Sequence, residues 1–330
     1  LGGFLLGFAL VGVRPLTSSL IAILVGVGVI GFGYYTHTRL QVWFPWAIVS
    51  LVVVPVAWGW AVLYNAYVYL FQTRRYEQSL SLYLSPKLVK KFAKDENFLQ
   101  TGAEKQELSI LFSDIANFTS LSEGMDGDEL ALLMNGYFDR AIPNCVFQTD
   151  GTVMKYIGDA IFAVWNAPDA QPDHAIRACR AALLLRDGVS GMTIGKNAAP
   201  LLTRIGLHTG PASIGNFGSK DRFGYDAVGE NINLASRMEG LNKYLGTRVL
   251  ITGDTFARTN GQFVTRPLGS FRLKGFEKAV EVHELISEQD TAEASRSWRE
   301  SFAQGLDAWR KRSWEEAIAA FRRTLELKPE

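Results

Sequence analysis

Two long stretches without charged residues constrain the N-terminal part of this chain most strongly. Leu16 to Tyr35 and Leu40 to Thr73 contain no Asp, Glu, Lys or Arg. A helix crosses a bilayer with about 20 apolar residues, and each stretch is long enough. Aromatic residues such as Trp43 and Tyr69 lie near the ends of the second stretch, as membrane-interface residues do. The sequence predicts transmembrane helices; a buried hairpin of a soluble protein is the alternative.

The flanking cations predict the orientation. Arg74 and Arg75 follow the second stretch, whereas the short loop before it offers only Arg39. Positive residues stay on the cytoplasmic side, so everything from residue 74 onward is expected in the cytoplasm of a multi-pass protein of the cell (inner) membrane. Residues 1–71 are interpreted as transmembrane helices, the first of them partial. Because Leu1 lies inside an apolar run, we expect a fragment whose missing N-terminal part is an extracytoplasmic sensor.

Composition excludes several classes of function. The formal charge of +1 gives no global attraction to nucleic acid. The chain contains two cysteines, Cys145 and Cys179, and they do not form a C-x-x-C pair. A disulfide scaffold or a cysteine-ligated metal cluster is therefore not expected.

Residues 72–104 are interpreted as a cytoplasmic linker or signalling helix. Apolar residues recur at every fourth position from Tyr76 to Phe92, which predicts one helical stripe. Ser85-Pro86 predicts the start of a new helix, because Ser is a preferred N-cap and Pro a preferred first residue. The stripe suits a parallel contact between two identical chains. A helix lying on its own domain is the alternative.

Residues 105–288 have the pattern of an α+β domain. The order β-α-α-β-β-α-β predicts a ferredoxin-like, antiparallel-rich sheet with helices on one face. Later short strands are expected to extend the sheet edge. The predicted strands are 107–114, 152–157, 160–165, 201–208, 247–251, 269–273 and 280–286, and the predicted helices are 117–148, interrupted near 124–127, and 172–187.

Two carboxylates lie where neighbouring strands end. Asp114 ends the first strand, and Asp159 occupies the tight turn of the hairpin that is expected beside it. Facing carboxylates repel unless cations lie between them, and a pair of divalent ions is the usual arrangement for phosphoryl transfer. Hard oxygen ligands favour Mg²⁺. The alternative is that each aspartate only caps a turn.

The segment 222–239 combines a loop with the start of a helix near Gly229. Asn233 and Arg237 share one helical face, and Asp226 precedes the helix in the expected loop. An amide, a cation and a carboxylate near a helix N-terminus suit an anionic substrate that accepts and donates hydrogen bonds. A capped amphipathic helix is the alternative.

Four motifs together resemble one family. They are F-S-D-I-A-N-F-T at 112–119, K-Y-I-G-D-A at 155–160, G-L-H-T-G at 206–210 and the segment 222–239. The set resembles the class III adenylate and guanylate cyclases over residues 105–286. With its membrane helices, the chain is similar to bacterial membrane-anchored adenylate cyclases that carry a CHASE-type sensor, which is not seen here.

The resemblance implies a role for each matching residue. Asp114, Asp159 and the Ile115 carbonyl match metal ligands, here for two Mg²⁺ or Mn²⁺ ions. Phe118 and Thr119 match a turn that contacts phosphate. The remaining matches bind the substrate or act in catalysis: Lys155 and Asp226 on the base, Asn233 and Arg237 on the ribose and the transition state, and Lys274 on the terminal phosphates.

The implied reaction converts ATP to 3′,5′-cyclic AMP and pyrophosphate. Lys155 donates and Asp226 accepts a hydrogen bond, which fits the edge of adenine and mismatches that of guanine. By resemblance the active site lies between two identical chains. One chain contributes Asp114 and Asp159, and the other contributes Lys155, Asp226, Asn233, Arg237 and Lys274. A guanylate cyclase and an inactive signalling scaffold are the alternatives. A diguanylate cyclase would need a G-G-[DE]-E-F run, which the sequence lacks.

The tail, residues 289–330, is predicted to form two helices. Gly305, Ala317, Phe321 and Pro329 fall where a tetratricopeptide repeat places such residues. One repeat cannot bury its own face, so we expect a protein partner or further repeats there.

Overall fold

The computed structural model of the chain describes residues 2–95, 98, 100–194, 199–219 and 222–328. The chain divides into two compact units, Leu1–Tyr83 and Leu84–Glu330. Pro329, which belongs to the predicted repeat pattern, lies outside the described residues.

The first unit is helical. Two of its stretches, Leu16–Leu40 and Trp46–Ser81, are long and apolar enough to cross a membrane. Only 17% and 22% of their most apolar windows are buried within the structure, so both expose apolar surface, which a soluble protein rarely does over such lengths. The helices are α1 (Gly2–Val11), α2 (Pro15–Tyr35), α3 (Trp46–Ile48) and α4 (Val54–Ser81), with π-helical turns at Thr36–Leu40 and Val49–Val53.

Small residues let these helices pack closely. Ala61 of α4 is fully buried in a cluster with Leu10 of α1. Between α2 and α4, the Trp58 indole N–H donates to Ser19 Oγ at 3.0 Å. A side-chain hydrogen bond between two apolar helices specifies how they pair.

The linker contains a break. Helix α4 ends at Ser81 and α5 (Pro86–Lys94) begins where Ser85-Pro86 predicted a new helix. The apolar stripe from Tyr76 to Phe92 therefore does not lie on one helix, because residues 82–85 form a turn. Leu88 and Val89 of α5 are buried in the second unit, so this half of the linker lies on its own domain. The prediction of one continuous stripe was wrong.

The second unit is built on an eight-stranded sheet in the order β2-β3-β1-β6-β8-β10-β9, with β7 paired to β6. The pairs are antiparallel except β6 with β8. The strands of this sheet are β1 (Gly102–Ile115), β2 (Thr152–Ile157), β3 (Ala160–Trp165), β6 (Thr203–Gly218), β7 (Phe223–Val228), β8 (Val249–Thr252), β9 (Phe263–Phe271) and β10 (Val280–Glu288); β4 (Thr193–Ile194) and β5 (Ala199–Pro200) form a separate pair. The helices are α6 (Phe118–Ser122), α7 (Gly127–Ala141), a π-helical segment Ile142–Phe147, α8 (His174–Ser190), α9 (Glu230–Leu245), α10 (Gly253–Ala257), α11 (Ala292–Arg310) and α12 (Trp314–Leu327), with a 3₁₀ turn at Gln289–Thr291.

The predicted ferredoxin-like sheet is confirmed, but its helices cover both faces. Leu111 of β1 belongs to the core that includes residues of α8, whereas Ile110 belongs to a second core with Ile232 and Ala235 of α9. Successive strand residues point to opposite faces, so α8 and α9 lie on opposite sides of the sheet. The expectation of helices on one face was wrong, because α9 buries an apolar stripe of its own. The later strands extend the sheet edge as predicted.

The tail forms the predicted helical pair, α11 and α12. Gly305 is where the two helices touch, since a Cβ there would lie 2.7 Å from the ring of Phe321. Helix α11 is fixed to the sheet through Arg266, which forms a buried ion pair with Glu284 at 2.8 Å and stacks its guanidinium 4.6 Å from the centre of the Phe302 ring. A desolvated cation over an aromatic face is a favourable contact.

Candidate active site

The two predicted metal-binding aspartates lie where neighbouring strands end. Strand β1 carries Asp114 at its C-terminal end and pairs with β3, which follows the turn that carries Asp159. Gly158 takes φ 64° in that turn, a backbone conformation that favours glycine. The backbone N–H of Ile115 donates to Asp159 Oδ2 at 3.0 Å, which fixes the turn against the end of β1.

The surroundings of Asp114 disfavour its negative charge. Burial first, and then a hydrogen bond with Asp159 and the charge of Asp159, raise the pKa of Asp114 to about 7. The pKa of Glu239 is also raised to about 7, mainly by burial. Asp114 and Asp159 offer hard oxygen ligands in a site rich in carboxylates, and these residues fit divalent cations. Among the described residues no group of three or more His, Cys, Asp and Glu side chains is placed to hold a metal, so such a site depends also on backbone oxygen or substrate.

The residues after Asp114 form a tight turn. Asn117 takes φ 60°, and α6 begins at Phe118. Phe118 packs against the core that includes α8, whereas Thr119 is exposed at the start of the helix. Phe118 is thus held by the core, whereas Thr119 is accessible to solvent.

Lys155 and Asp226 meet as an ion pair. Lys155 Nζ lies 2.5 Å from Asp226 Oδ2, and it also lies 5.8 Å from the centre of the Phe162 ring. Asp226 belongs to strand β7, where it pairs with Gly215, so the expectation of a loop was wrong. The Ala227 backbone N–H donates to Asp226 Oδ1 at 2.9 Å. The structure therefore holds a donor and an acceptor side by side.

Helix α9 carries the predicted residues Asn233 and Arg237. It follows Gly229, whose φ is 144°, and both Asn233 and Arg237 on it are exposed. Ile232 and Met238 are buried in the same helix. The amphipathic interpretation and the functional one are thus compatible, because the apolar and polar residues occupy different sides.

A cavity of about 560 Å³ connects the end of β1 to α9 and to the loop after β9. Asp159, Lys155, Asp226 and Asn233 are not part of its lining as far as the described residues go. One chain thus brings only some of the predicted residues to one cavity. The lining residues are Asp114, Arg204, Ser236, Arg237, Glu239, Gly240, Leu241, Lys243, Tyr244, Leu273 and Lys274.

A comparison with protein families decides the relationship. The model of the adenylate and guanylate cyclase catalytic domain matches residues 101–287. The chain belongs to this cyclase family. The matched range covers the sheet, the carboxylate pair, the Lys155–Asp226 pair and helix α9 together.

Known members of the cyclase family resemble the chain in sequence and in fold. Adenylate cyclase 1 of Rhizobium meliloti (strain 1021) is 37% identical over 211 residues, which are 63% of this chain and 32% of that protein. The chain thus spans about a third of that relative. The crystal structure of the adenylyl cyclase CyaB from P. aeruginosa has a TM-score of 0.50 and 27% identity, covering 57% of this chain and 97% of that one. The guanylate cyclase domain of RhGC from Catenaria anguillulae, in complex with GTP, has a TM-score of 0.51 and 27% identity, covering 57% and 100%.

The sequence interpretation of the cyclase domain missed Arg204. This residue lies directly opposite Asp114 in the antiparallel register of β1 and β6, and its charge lowers the pKa of Asp114 against the effect of burial. Directly opposite residues project to the same face of the sheet. Pairing the predicted strands 107–114 and 201–208 end to end would place Leu201 opposite Asp114, so the observed register, which is offset by three residues, was needed to identify Arg204.

Proposed function

We propose that the chain is an adenylate cyclase that converts ATP to 3′,5′-cyclic AMP and pyrophosphate. The observation that carries the proposal is the pair of Lys155 and Asp226. Adenine presents an acceptor at N1 and a donor at its amino group, so a lysine donor beside a carboxylate acceptor matches its edge. Guanine presents the reverse pattern, and mispaired polar groups in a site discriminate by roughly 10⁴-fold or more.

The chain's own residues supply the other requirements of the reaction. Asp114, Asp159 and the Ile115 carbonyl would hold two Mg²⁺ or Mn²⁺ ions. Such ions, when bound, make the ribose 3′-hydroxyl more acidic and neutralise phosphate charge. Asp114 or a substrate phosphate would accept the hydroxyl proton.

Cations surround the expected position of the triphosphate. Arg237, Arg204 and Lys274 line one cavity with Asp114. We assign Arg237 to the charge that grows in the transition state, Lys274 and Arg204 to the phosphates, and Asn233 to the ribose. Phe118 and Thr119 begin a helix next to Asp114, where backbone N–H groups favour phosphate oxygens. Arranged cations of this kind stabilise a phosphoryl-transfer transition state.

We infer that the complete site forms between two copies of the chain. Within the described residues, the cavity that holds Asp114 excludes Lys155, Asp226 and Asn233. Arg237 and Lys274 of the same chain also line it, and we assign them to the carboxylates of the other copy. The family resemblance implies that the carboxylates of one copy face α9 and the base-reading pair of the other. A symmetric homodimer would then have two equivalent sites.

The setting of the enzyme is part of the proposal. The two apolar helical stretches support a multi-pass protein of the cell membrane with a cytoplasmic catalytic domain. We propose residues 1–71 as the membrane domain, 72–104 as the linker, 105–288 as the catalytic domain and 289–330 as the tail. Regulation by an extracytoplasmic sensor and a protein partner at the tail belong to the same proposal. Trp314 and Ile318 of α12 are more than half exposed, which supports a partner there.

A guanylate cyclase is the second candidate. The similarity to a guanylate cyclase domain in complex with GTP favours it. Its TM-score of 0.51 and identity of 27% are close to the 0.50 and 27% of the adenylyl cyclase from P. aeruginosa. The two functions differ in the base that is bound and therefore in the product.

Product identification tests the proposal. Membranes that contain the chain, made in a host without a cyclase of its own, are incubated with ATP or GTP and with Mg²⁺ or Mn²⁺. We expect cyclic AMP as the main product, because Lys155 and Asp226 match adenine. The Asp159→Asn variant serves as the control and should form little product, because a carboxylate ligand is lost. Cyclic GMP as the main product would establish the second candidate, and no cyclic nucleotide from either substrate would contradict both.

A further inference from the structure

A buried histidine connects the central sheet to helix α9. His208 lies on β6, is 2% exposed, and its Nε2 lies 2.9 Å from Asn231 Oδ1. Asn231 donates its own amide N–H to the Pro211 carbonyl at 2.6 Å, so its oxygen faces the histidine and accepts from Nε2–H. Burial lowers the pKa of His208, so the ring is neutral, and its Nδ1 accepts from the Thr252 hydroxyl at 2.9 Å. Both ring nitrogens are thus satisfied, one of them by α9.

The glycine two residues later makes room for this bond. A Cβ at Gly210 would lie 2.8 Å from His208 Nε2 and 3.0 Å from the Asn231 amide. Real Cβ atoms do not approach so closely, so a side chain at 210 would displace the hydrogen bond. Within the motif G-L-H-T-G, the histidine and the last glycine therefore serve one contact.

The other end of α9 is held in a similar way. Asn242, which is buried, donates its amide N–H to the Ile205 carbonyl at 3.0 Å. Between the two amides the helix touches the strand itself, since a Cβ at Gly206 would lie 2.1 Å from the backbone nitrogen of Glu239. Asn231 and Asn242 are three turns apart and face the same side of an α-helix. Helix α9 is thus fixed flat on β6 at both ends.

This attachment determines where the exposed residues of α9 point. At about 100° per residue, Asn233 is turned roughly 200° and Arg237 roughly 240° from Asn231. Both therefore project from the side opposite the anchored one, in agreement with their exposure. A rotation of α9 on the strand would move both residues at once.

We propose that His208 is a positioning residue for catalysis, which acts through Asn231 to fix the rotation of α9 and thus the placement of Asn233 and Arg237. The inference rests on the proposed function, because it assigns those two residues to the reaction. His208 does not touch the substrate. Misplacing catalytic groups by about 1 Å can lower a rate by about 10²-fold without loss of the fold.

Two substitutions of His208 test the two hydrogen bonds of its imidazole ring separately. In His208→Gln the side-chain amide reaches the place of Nε2 and can still donate to Asn231, whereas in His208→Asn it reaches the place of Nδ1 and leaves Asn231 without a donor. We expect His208→Asn to lower kcat for ATP by about 10²-fold with KM within a factor of about three, and His208→Gln to keep kcat within about tenfold of wild type. If His208 had only a structural role, both variants would lower kcat to the same extent.

Asn231→Ala and His283→Gln complete the series. Asn231 is only partly buried, so Asn231→Ala is expected to fold and to show the same loss of kcat as His208→Asn. The double variant should lose no more than either single variant, because both remove one contact. His283 is a buried histidine on β10 whose described hydrogen bond joins it to Glu281 rather than to α9, and its substitution should leave kcat unchanged.

The outcomes distinguish the two proposals. Wild-type protein that forms no cyclic nucleotide would contradict the proposed function itself. If wild type is active, equal kcat in His208→Gln and His208→Asn, or unchanged kcat in Asn231→Ala, would overturn the positioning role. Circular dichroism of every variant shows whether it is folded, and Asn231→Ala decides the question if both histidine variants unfold.

Discussion

Replacing Arg237 with alanine is expected to lower kcat for cyclic AMP formation by roughly 10³–10⁵-fold, the range found for arginines that stabilise phosphoryl-transfer transition states. Arg237 is exposed on α9 and lines the cavity that contains Asp114, so its guanidinium is available to a substrate rather than engaged in the fold. The loss should fall on kcat more than on KM, because the interaction grows as charge develops on the reacting phosphate.

An exposed arginine outside the cavity gives the matched control. Arg322 lies on α12, and Arg322→Ala should leave kcat and KM unchanged. Thermal unfolding of both variants should match that of wild type, because neither side chain is buried. Full turnover in Arg237→Ala would contradict the assignment of this residue to the transition state.

Exchanging the hydrogen-bond pattern of the base-reading pair is expected to reverse the substrate preference. Lys155→Glu replaces a donor by an acceptor, and Asp226→Cys removes the carboxylate that guanine's carbonyl would repel. The two changes together remove the ion pair of Lys155 with Asp226 and leave one carboxylate at position 155, which can accept from the N1–H and amino group of guanine. Since mispaired polar groups cost roughly 10⁴-fold in discrimination, the ratio of kcat/KM for ATP to that for GTP should fall by about that factor.

The single substitutions show whether the pair acts as a unit. Lys155→Glu alone places two carboxylates together and should lower activity on both nucleotides. Only the double variant is expected to recover activity, and then with GTP. A double variant that is still strictly specific for ATP would refute the assignment of Lys155 and Asp226 to the base.

Local sequence patterns were sufficient for much of the fold. The hairpin at 152–157 and 160–165 has the predicted bounds, because alternating strand residues flank a Gly-Asp turn that favours one geometry. The start of α5 at Pro86 was equally clear from its capping pattern. Such features depend on neighbouring residues, which a sequence displays directly.

What the sequence did not indicate depends on contacts between distant segments. The placement of α9 on the second face of the sheet follows from the absence of a side chain at Gly206, which matters only once strand and helix are together. Arg204 became a candidate only because the register of β1 and β6 places it opposite Asp114. Asp226 is a strand residue because β7 pairs with β6, in which its own partner, Gly215, lies 11 positions earlier in the chain. The candidate site residues were proposed from motif spacing, but the sequence did not predict the cavity that Asp114, Arg237 and Lys274 line.

If ATP is cyclised at a site shared by two copies of the chain, co-expression of two inactive variants should restore activity. Asp114→Ala removes a metal ligand and Arg237→Ala removes the transition-state arginine, so each homodimer should be inactive. A mixed dimer keeps one site with both residues intact, and random pairing should restore about a quarter of wild-type cyclic AMP formation.

Co-expression of Asp114→Ala with Asp159→Ala is the matched control. Both changes fall on the same half of the site, so every mixed dimer is expected to lack an intact one. We expect cyclic AMP from the first combination and none from the second. If the first combination stays as inactive as its parents while both variants are folded and paired, the shared adenylate cyclase site is contradicted.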